Sequence, residues 1–554
     1  MNIKEFVSQY CSDIMAEAKR RSEMFDLSGF SYDEIIKEDD GAEVRVVNTA
    51  NYQIPIIDIL GMDREEIMTR LQKTNSAYEV LAEKVEDDVA DQVRTFIDEN
   101  DLESCIYLTD DSKRYYPYST LAAQVVGFVN RANEGAYGLE SLYNLELSGL
   151  DGRIITAKNA SGTELLTPYT SYEDAVSGYD VHTTIDSTIQ MYAEKALEEG
   201  IQKFDVINGA FCVVMDPDTG AVLAMASSPD YDLNDPSTVI DSVLQQNLAE
   251  LQEDESVSEE EYAAALSQAQ FQQWSNKCLN TEYEPGSTFK SVSALTILEQ
   301  GTMGPEDTMF CPSSISADDY DVSDSHERDG ETYSLREILN HSSNVGISLA
   351  TEQAGFDKLY DNIKRFHFTE STGVDYPGEA AGNVLDFDNW AKITGYNVSF
   401  GQGIAVTPLQ MARFYSAIAN DGTLVTPHFL ISKPQSGDVA EWESEETGVD
   451  ETVLADMRSM LRSVVTDGTG AAADIEGYEV CGKTSTAEIA SEEGGYKKEV
   501  YNIGFCGFID NSSSNLVCFV GANEVYAMRQ TTQIFNDIME NAVKQYNITS
   551  MPSN

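Results

Sequence analysis

The stretch Tyr283-Glu284-Pro285-Gly286-Ser287-Thr288-Phe289-Lys290 constrains this chain more than any other. Pro-Gly sets a turn. From Ser287 onward, Phe289, Val292, Leu295 and Ile297 recur at a roughly helical period, which predicts a helix beginning at the serine. Ser287 and Lys290 then lie one turn apart on the same face. A serine hydroxyl is a weak nucleophile until a neighbour takes its proton. A lysine can take it only where a dry, partly cationic pocket lowers its pKa. Taken alone, S-x-x-K is equally an ordinary helix N-terminus with a capping serine, since about one or two such matches arise by chance in a chain this long.

Two later stretches change that balance. Ser342-Ser343-Asn344 begins 55 residues after Ser287, and Lys483-Thr484-Ser485-Thr486 begins 141 residues after Ser342. The order S-x-x-K, S-x-N, K-T-x-T is that of the penicilloyl-serine transferases. With it, the chain closely resembles a class B penicillin-binding protein, a monofunctional peptidoglycan D,D-transpeptidase. Matching stretches also occur at 114–118, 121–127, 135–140, 214–220, 372–379 and 401–410, so the resemblance runs from about Asn51 to the C-terminus.

The resemblance implies an α+β fold in two parts. Residues 1–181 would form a pedestal, or dimerisation, domain truncated at its N-terminus. Residues 182–554 would form a β-lactamase-like transpeptidase domain, an antiparallel sheet packed with helices. Ser287 is implied as the nucleophile, Lys290 as the general base and Ser342 as the relay that passes a proton to the leaving amine. Asn344 would hold Lys290 and the substrate backbone. Lys483, Thr484 and Thr486 would bind the donor's terminal carboxylate. Lys483 would also keep Lys290 neutral by like-charge repulsion. The backbone N–H groups of Ser287 and Thr486 would form the oxyanion hole. Ser485 departs from the family's usual glycine. By strand alternation it shares Lys483's face and is expected to narrow the cleft.

The implied partners are peptidoglycan stem peptides as substrates, β-lactams as covalent inhibitors, and a membrane-embedded glycosyltransferase with other divisome proteins. The implied location is the extracytoplasmic face of the cell membrane. The Glu-Pro-Gly-Ser context leans toward the division or sporulation type. No cofactor or metal is implied.

Bulk properties narrow the field further. With 35 basic and 95 acidic residues the formal charge is −60, a surface that repels nucleic acid and anionic lipid. Acidic runs such as Glu259-Glu260-Glu261 read as solvated helix faces. The eight cysteines form no C-x-x-C or Cys/His cluster, so a structural zinc site is not expected. Cys212, Cys506 and Cys518 read as small buried hydrophobes. No run reaches ~18 consecutive apolar residues, and no signal-peptide profile opens the chain. The family usually carries an N-terminal anchor, so a truncated chain is the expectation.

Helices are expected at Asp63–Lys73, Tyr78–Val85, Asp88–Asn100, Ser187–Phe204, Thr407–Asn420 and Gln533–Tyr546. A hairpin is expected around Asp216–Gly220, an acidic helical insertion over 239–273, and strands at 479–487, 502–509 and 516–521. Gly477 to Thr484 matches the P-loop pattern G-x-x-x-x-G-K-[ST], but no apolar strand precedes it and the residues alternate like a strand themselves. A serine β-lactamase is a second alternative. It needs a glutamate that activates water, and Glu337-Ile338-Leu339-Asn340 is one residue short of E-x-x-L-N and lies on the wrong side of S-x-N. The third is a catalytically dead β-lactam sensor or scaffold, which the intact reactive groups disfavour. The absence of G-x-S-x-G removes the ordinary α/β-hydrolase.

Overall fold

The computed structural model describes residues 32–37, 43–47, 55–63 and most of 79–551. Residues 103–105, 107, 110, 156–170, 255, 318–319, 326–327, 491–495 and 527–530 fall outside that description. The chain forms two compact units, residues 1–113 and 114–554.

In the first unit, strands Tyr32–Lys37 and Glu43–Val47 pair antiparallel. Helix α1 (Asp87–Glu99) buries Ala90, Val93 and Ile97, a spacing of three and four that makes one apolar face. Asp87 and Asp88 in its first turn suit the positive end of the helix dipole. The helix expected at Tyr78–Val85 does not form over the described residues 79–85. Lys84 takes φ +53°, a left-handed conformation that a right-handed helix cannot pass through. The helix expected at Asp63–Lys73 lies, from residue 64 on, outside the described residues.

The second unit is built on a five-stranded antiparallel sheet. Its elements in chain order are α2 (Ser187–Phe204), β1 (Ala210–Met215), β2 (Val222–Ser227), α3 (Ser242–Glu253), α4 (Glu259–Trp274), α5 (Lys290–Glu299), α6 (Leu335–Asn340), α7 (Asn344–Ala354), α8 (Pro408–Ala419), α9 (Glu451–Thr466), β3 (Glu479–Ala490), β4 (Tyr496–Asp510), β5 (Val517–Tyr526) and α10 (Thr532–Tyr546). The strand order is β3-β4-β5-β1-β2, so β3 is an edge strand.

Both faces of the sheet are covered. Cys481, Cys506, Phe508, Phe519, Phe211 and Val213 pack on one face with Leu295, Phe414 and Leu461 of α5, α8 and α9. Val480, Phe505, Val520, Cys212 and Val214 pack on the other with α2 and α10, through Ile189, Leu197, Phe535 and Ile538. This two-sided burial explains why β1 and β2 read as unbroken apolar runs. Local signals fix the helix ends. Asp186 accepts from Thr188 N and Ile189 N at the start of α2. Thr407 and Gln410 close a capping box on α8, with Pro408 in its first turn. The acidic insertion forms the α3–α4 pair over a small core of Val239, Leu244, Leu248 and Ala269.

The described cysteines Cys212, Cys278, Cys311, Cys481, Cys506 and Cys518 are buried free thiols. Among the described residues no helix is long and apolar enough to cross a membrane.

Two positive-φ glycines contrast in their surroundings. Gly401 (φ +84°) stands where an added Cβ would lie 2.1 Å from Gly286 O. Gly437 (φ +73°) has open space around it. Gly401→Ala is therefore expected to destabilise by ~3 kcal/mol, and Gly437→Ala by about 1 kcal/mol from backbone conformation alone. Thermal unfolding of the two variants side by side checks this, and equal losses would contradict it.

Candidate active site

The turn that carries Ser287 is held from several sides. Tyr283 and Val406 exchange both backbone hydrogen bonds at 3.0 Å, and Gly286 N donates to Gly401 O at 3.0 Å. Residues Gly286–Phe289 form one 3₁₀ turn, and the α-helix begins only at Lys290. This corrects the expected helix start at Ser287. Gly286 takes φ +51°, and Thr288 Oγ1 donates back to Pro285 O at 2.7 Å, which tightens the turn. In a 3₁₀ turn, residues three apart eclipse, so the Ser287 and Lys290 side chains stay on one line. Tyr415 of α8 donates to Thr288 O (3.0 Å) and shares a hydrogen bond with Ser291 Oγ (2.8 Å), fixing the turn from behind.

Ser342 lies between α6 and α7 with φ +55°. A non-glycine residue in this region is held there by its surroundings. The holding group is Asp324, which accepts from Asn344 N (2.5 Å), Val345 N (3.1 Å) and Ser343 Oγ (3.0 Å). Ser343 is itself the N-cap of α7, accepting from Gly346 N. The capping role therefore falls to Ser343, and Ser342 and Asn344 both bond to Lys290.

Lys290, Ser342, Asn344, Lys483 and Ser287 meet in one hydrogen-bonded group. Lys290 Nζ lies 2.6 Å from Ser342 O, 2.7 Å from Asn344 Oδ1 and 3.1 Å from Ser342 Oγ. Lys483 Nζ reaches the same Ser342 Oγ at 3.1 Å. Ser342 Oγ in turn donates to Ser287 Oγ at 2.9 Å. The hydrogen-bonded route from Ser287 to Lys290 thus passes through Ser342.

Both lysines are fully buried. Burial, reinforced by the charge of Lys483 and opposed by Asp324, holds Lys290 well below the usual lysine range. Burial alone brings Lys483 down to about 7. A neutral Lys290 amine can donate to Ser342 O and Asn344 Oδ1 and still offer its lone pair to a proton arriving from Ser342 Oγ.

Thr484 and Thr486 lie beside Lys483 on β3. Thr484 Oγ1 is 2.6 Å from Thr469 Oγ1, and Thr486 is half-buried opposite Ile503. Ser485 is buried and donates to Pro285 O at 2.6 Å. It fastens the edge strand to the Ser287 turn rather than narrowing open space, because the strand runs against that turn. Asp324, Tyr415 and Thr469 were not found by sequence reasoning. Asp324 reaches Ser343 across 19 residues and Tyr415 reaches Thr288 across 127, so no local pattern marks them.

The rival readings meet specific obstacles. Gly477–Thr484 runs into a strand that continues to Ala490, with no helix after Lys483. Glu337 accepts from Ser334 N at 2.8 Å as the third residue of a capping box on α6. Its carboxylate belongs to the helix end rather than to the Ser287 group.

Two buried lysines converging through one serine on a second serine, at the edge of a helix-covered antiparallel sheet, define a serine acyl-transferase of the penicillin-reactive kind. Residues 210–540 match the penicillin-binding protein transpeptidase domain, and residues 42–183 match the penicillin-binding protein dimerisation domain. The chain belongs to the penicillin-binding proteins, in their class B arrangement of dimerisation and transpeptidase domains.

Stage V sporulation protein D of Bacillus subtilis is 29% identical over 475 residues, covering 84% of this chain and 68% of that protein. Peptidoglycan D,D-transpeptidase FtsI of Escherichia coli is 27% identical over 422 residues, covering 75% and 63%. The chain thus spans about two thirds of the length of these relatives. The crystal structure of penicillin-binding protein 3 of Mycobacterium tuberculosis complexed with aztreonam superposes with a TM-score of 0.66. It is 27% identical and covers 79% of this chain and 92% of that one.

The lysine environments predict a bell-shaped pH dependence for acylation by benzylpenicillin. On the acid side, protonation of Lys290 removes the amine proposed as the base. On the alkaline side, Lys483 loses its charge as pH rises through about 7, and the carboxylate binding proposed for it weakens. Lys483→Arg keeps the cation, so the alkaline limb should disappear. A second-order acylation constant whose alkaline limb is unchanged in that variant would contradict the assignment.

Proposed function

We propose that the protein is a peptidoglycan D,D-transpeptidase working through an acyl-enzyme on Ser287. The observation that supports this best is the single hydrogen-bonded group joining Ser287, Ser342, Lys290 and Lys483. The donor is a stem peptide ending in D-Ala-D-Ala. Lys483, Thr484 and Thr486 take its terminal carboxylate, and Asn344 orients its backbone. Ser287 Oγ attacks the penultimate carbonyl carbon, and its proton moves through Ser342 to Lys290. The oxyanion faces the backbone N–H groups of Ser287 and Thr486. The C–N bond breaks as Ser342 delivers the proton to the departing D-alanine, which leaves the ester on Ser287.

An acceptor amine then attacks that ester. A new C–N bond forms, the C–O bond to Ser287 breaks, and the amine proton returns to Ser287 by the same route. A β-lactam acylates Ser287 as the donor does, but its ring keeps the leaving nitrogen tethered and blocks the acceptor. Glu337 is committed to a helix cap, so hydrolysis of the penicilloyl ester is expected to be slow, as in a drug target rather than a resistance enzyme.

In this reading residues 1–181 act as the pedestal and residues 182–554 as the transpeptidase domain. The glycan strands are polymerised by a separate membrane-embedded glycosyltransferase at the outer membrane face. The sporulation and D,D-transpeptidase names of the relatives favour a septal role.

Mass spectrometry after penicillin treatment is expected to place one adduct on the peptide containing Ser287, and Ser287→Ala should abolish it. Lys290→Arg keeps a cation but cannot supply a neutral base, so acylation should fall by about 10³-fold or more. Labelling of Ser287→Ala equal to the parent would overturn the nucleophile. Rapid multiple turnover of a chromogenic cephalosporin would favour a β-lactamase instead.

A further inference from the structure

Ser342 sits between two charged side chains that also meet each other. On one flank, Asp324 accepts from Ser343 Oγ, Asn344 N and Val345 N at 3.0, 2.5 and 3.1 Å. On the other, Arg328 Nη2 donates to His341 O at 2.8 Å. An ion pair joins the two, with Arg328 Nε 3.6 Å from Asp324 Oδ2 and the side chains only 18% and 8% exposed. The residues on both sides of Ser342 are thus tied to one buried pair, and Ser342 itself takes φ +55° between them.

The arginine is committed to the protein on all three nitrogens. Besides Asp324 and His341, its Nη1 donates to the Tyr333 hydroxyl at 3.4 Å, and Tyr333 donates onward to Glu331. The Tyr333 and His341 rings pack at 5.0 Å, so His341 is held by ring and carbonyl together. A planar guanidinium can serve three acceptors set at different angles, which an ammonium on a flexible stem does far less well.

The groups that Lys290 Nζ contacts all lie inside this grip: Ser342 O at 2.6 Å, Asn344 Oδ1 at 2.7 Å and Ser342 Oγ at 3.1 Å. Asn344 is bonded at both ends, its N to Asp324 and its Oδ1 to Lys290. Ser342 Oγ carries the contact on to Ser287 Oγ at 2.9 Å. A shift of the 341–345 loop therefore moves all of these contacts at once. Resting on the transpeptidase reading above, we propose that Asp324 and Arg328 are positioning residues for acylation, a charged clamp that closes on both sides of Ser342 and holds its hydroxyl between the two lysines. The two charges of the clamp also act on Lys290 in opposite senses. Burial and then Lys483 are the larger causes that hold Lys290 low; after them, the Asp324 carboxylate raises it and the Arg328 guanidinium lowers it. The clamp thus sets both where the proton route runs and how readily its last member takes the proton.

The test is the pH profile of the second-order constant for acylation by benzylpenicillin, read as penicilloyl adduct on Ser287 in the purified chain and its variants. Asp324→Asn removes the carboxylate charge, so Lys290 should protonate less readily and the acid limb should move to lower pH. Arg328→Gln removes the opposing charge, and its acid limb should move to higher pH. The double variant should bring the limb back toward the parent. Arg328→Lys keeps the charge but cannot hold Asp324, Tyr333 and His341 together. Its limb should stay where the parent's lies, while the constant at the optimum still falls about tenfold or more because Ser342 is loosely placed.

An acid limb that stays put in both Asp324→Asn and Arg328→Gln, or that moves the same way in both, would mean a merely structural pair and overturn the proposal. So would an undiminished constant at the optimum in Arg328→Lys. Should thermal unfolding show that Asp324→Asn does not fold, the two arginine variants decide: a limb raised in Arg328→Gln and unmoved in Arg328→Lys supports the clamp, and equal limbs overturn it. A parent that forms no penicilloyl adduct at any pH overturns the Ser287 reading itself, so the two failures are distinguishable.

Discussion

The site depends on two buried lysine amines that share one serine hydroxyl. Lys290 and Lys483 each stand 3.1 Å from Ser342 Oγ, and both are fully buried. Two ammonium ions this close, out of contact with solvent, repel strongly and lack hydration. The least costly arrangement leaves Lys290 neutral, with desolvation as the larger cause and Lys483 as the second. The same burial that would make an isolated lysine a structural liability suits this one to the proposed role of base. Ser342 is the coupling element, because among the described residues it alone hydrogen-bonds both amines and Ser287.

Much of the surrounding fold serves to keep these groups fixed and dry. The sheet supplies Lys483 from its edge strand, on the face that packs against α5, α8 and α9. Ser485 ties the strand to the turn, Tyr415 ties the turn to α8, and Asp324 ties the Ser342 loop to the end of the short strand Tyr320–Ser323. Each tie uses a buried or half-buried hydrogen bond, where losing one partner strands the other. The left-handed backbone at Ser342 fits this picture, since such a conformation persists only where its neighbours over-determine it.

The sequence was most legible where one chemical signal acts locally. The hairpin around Asp216–Gly220 and the helices expected at Ser187–Phe204 and Thr407–Asn420 were readable because local period, turn residues and burial agree. The three motifs were legible as an ordered set, and the structure brings Ser287, Lys290, Ser342, Asn344 and Lys483 together. Local periodicity misled at Tyr78–Val85, where Lys84 breaks the helix, and at Ser287, where a positive φ at Gly286 turns the first residues into a 3₁₀ turn. Asp324 was illegible because its partners Ser343, Asn344 and Val345 lie 19 to 21 residues away across a loop. Ser485 was visible as a departure from the usual glycine. Its bond to Pro285 could not be foreseen without knowing how closely the strand approaches the turn.

The central claim, that Lys290 is neutral in the resting protein, can be measured directly. Lysines labelled with ¹³C at Cε and ¹⁵N at Nζ report amine and ammonium forms at separate chemical shifts. Comparison with Lys290→Met and Lys483→Met identifies the two signals. The account predicts a Lys290 signal in the amine form at neutral pH, and one that moves toward ordinary lysine behaviour least when only the Lys483 charge is removed, because burial is the larger cause. A Lys290 signal that stays ammonium until pH ~10, as for a solvated lysine, would contradict it.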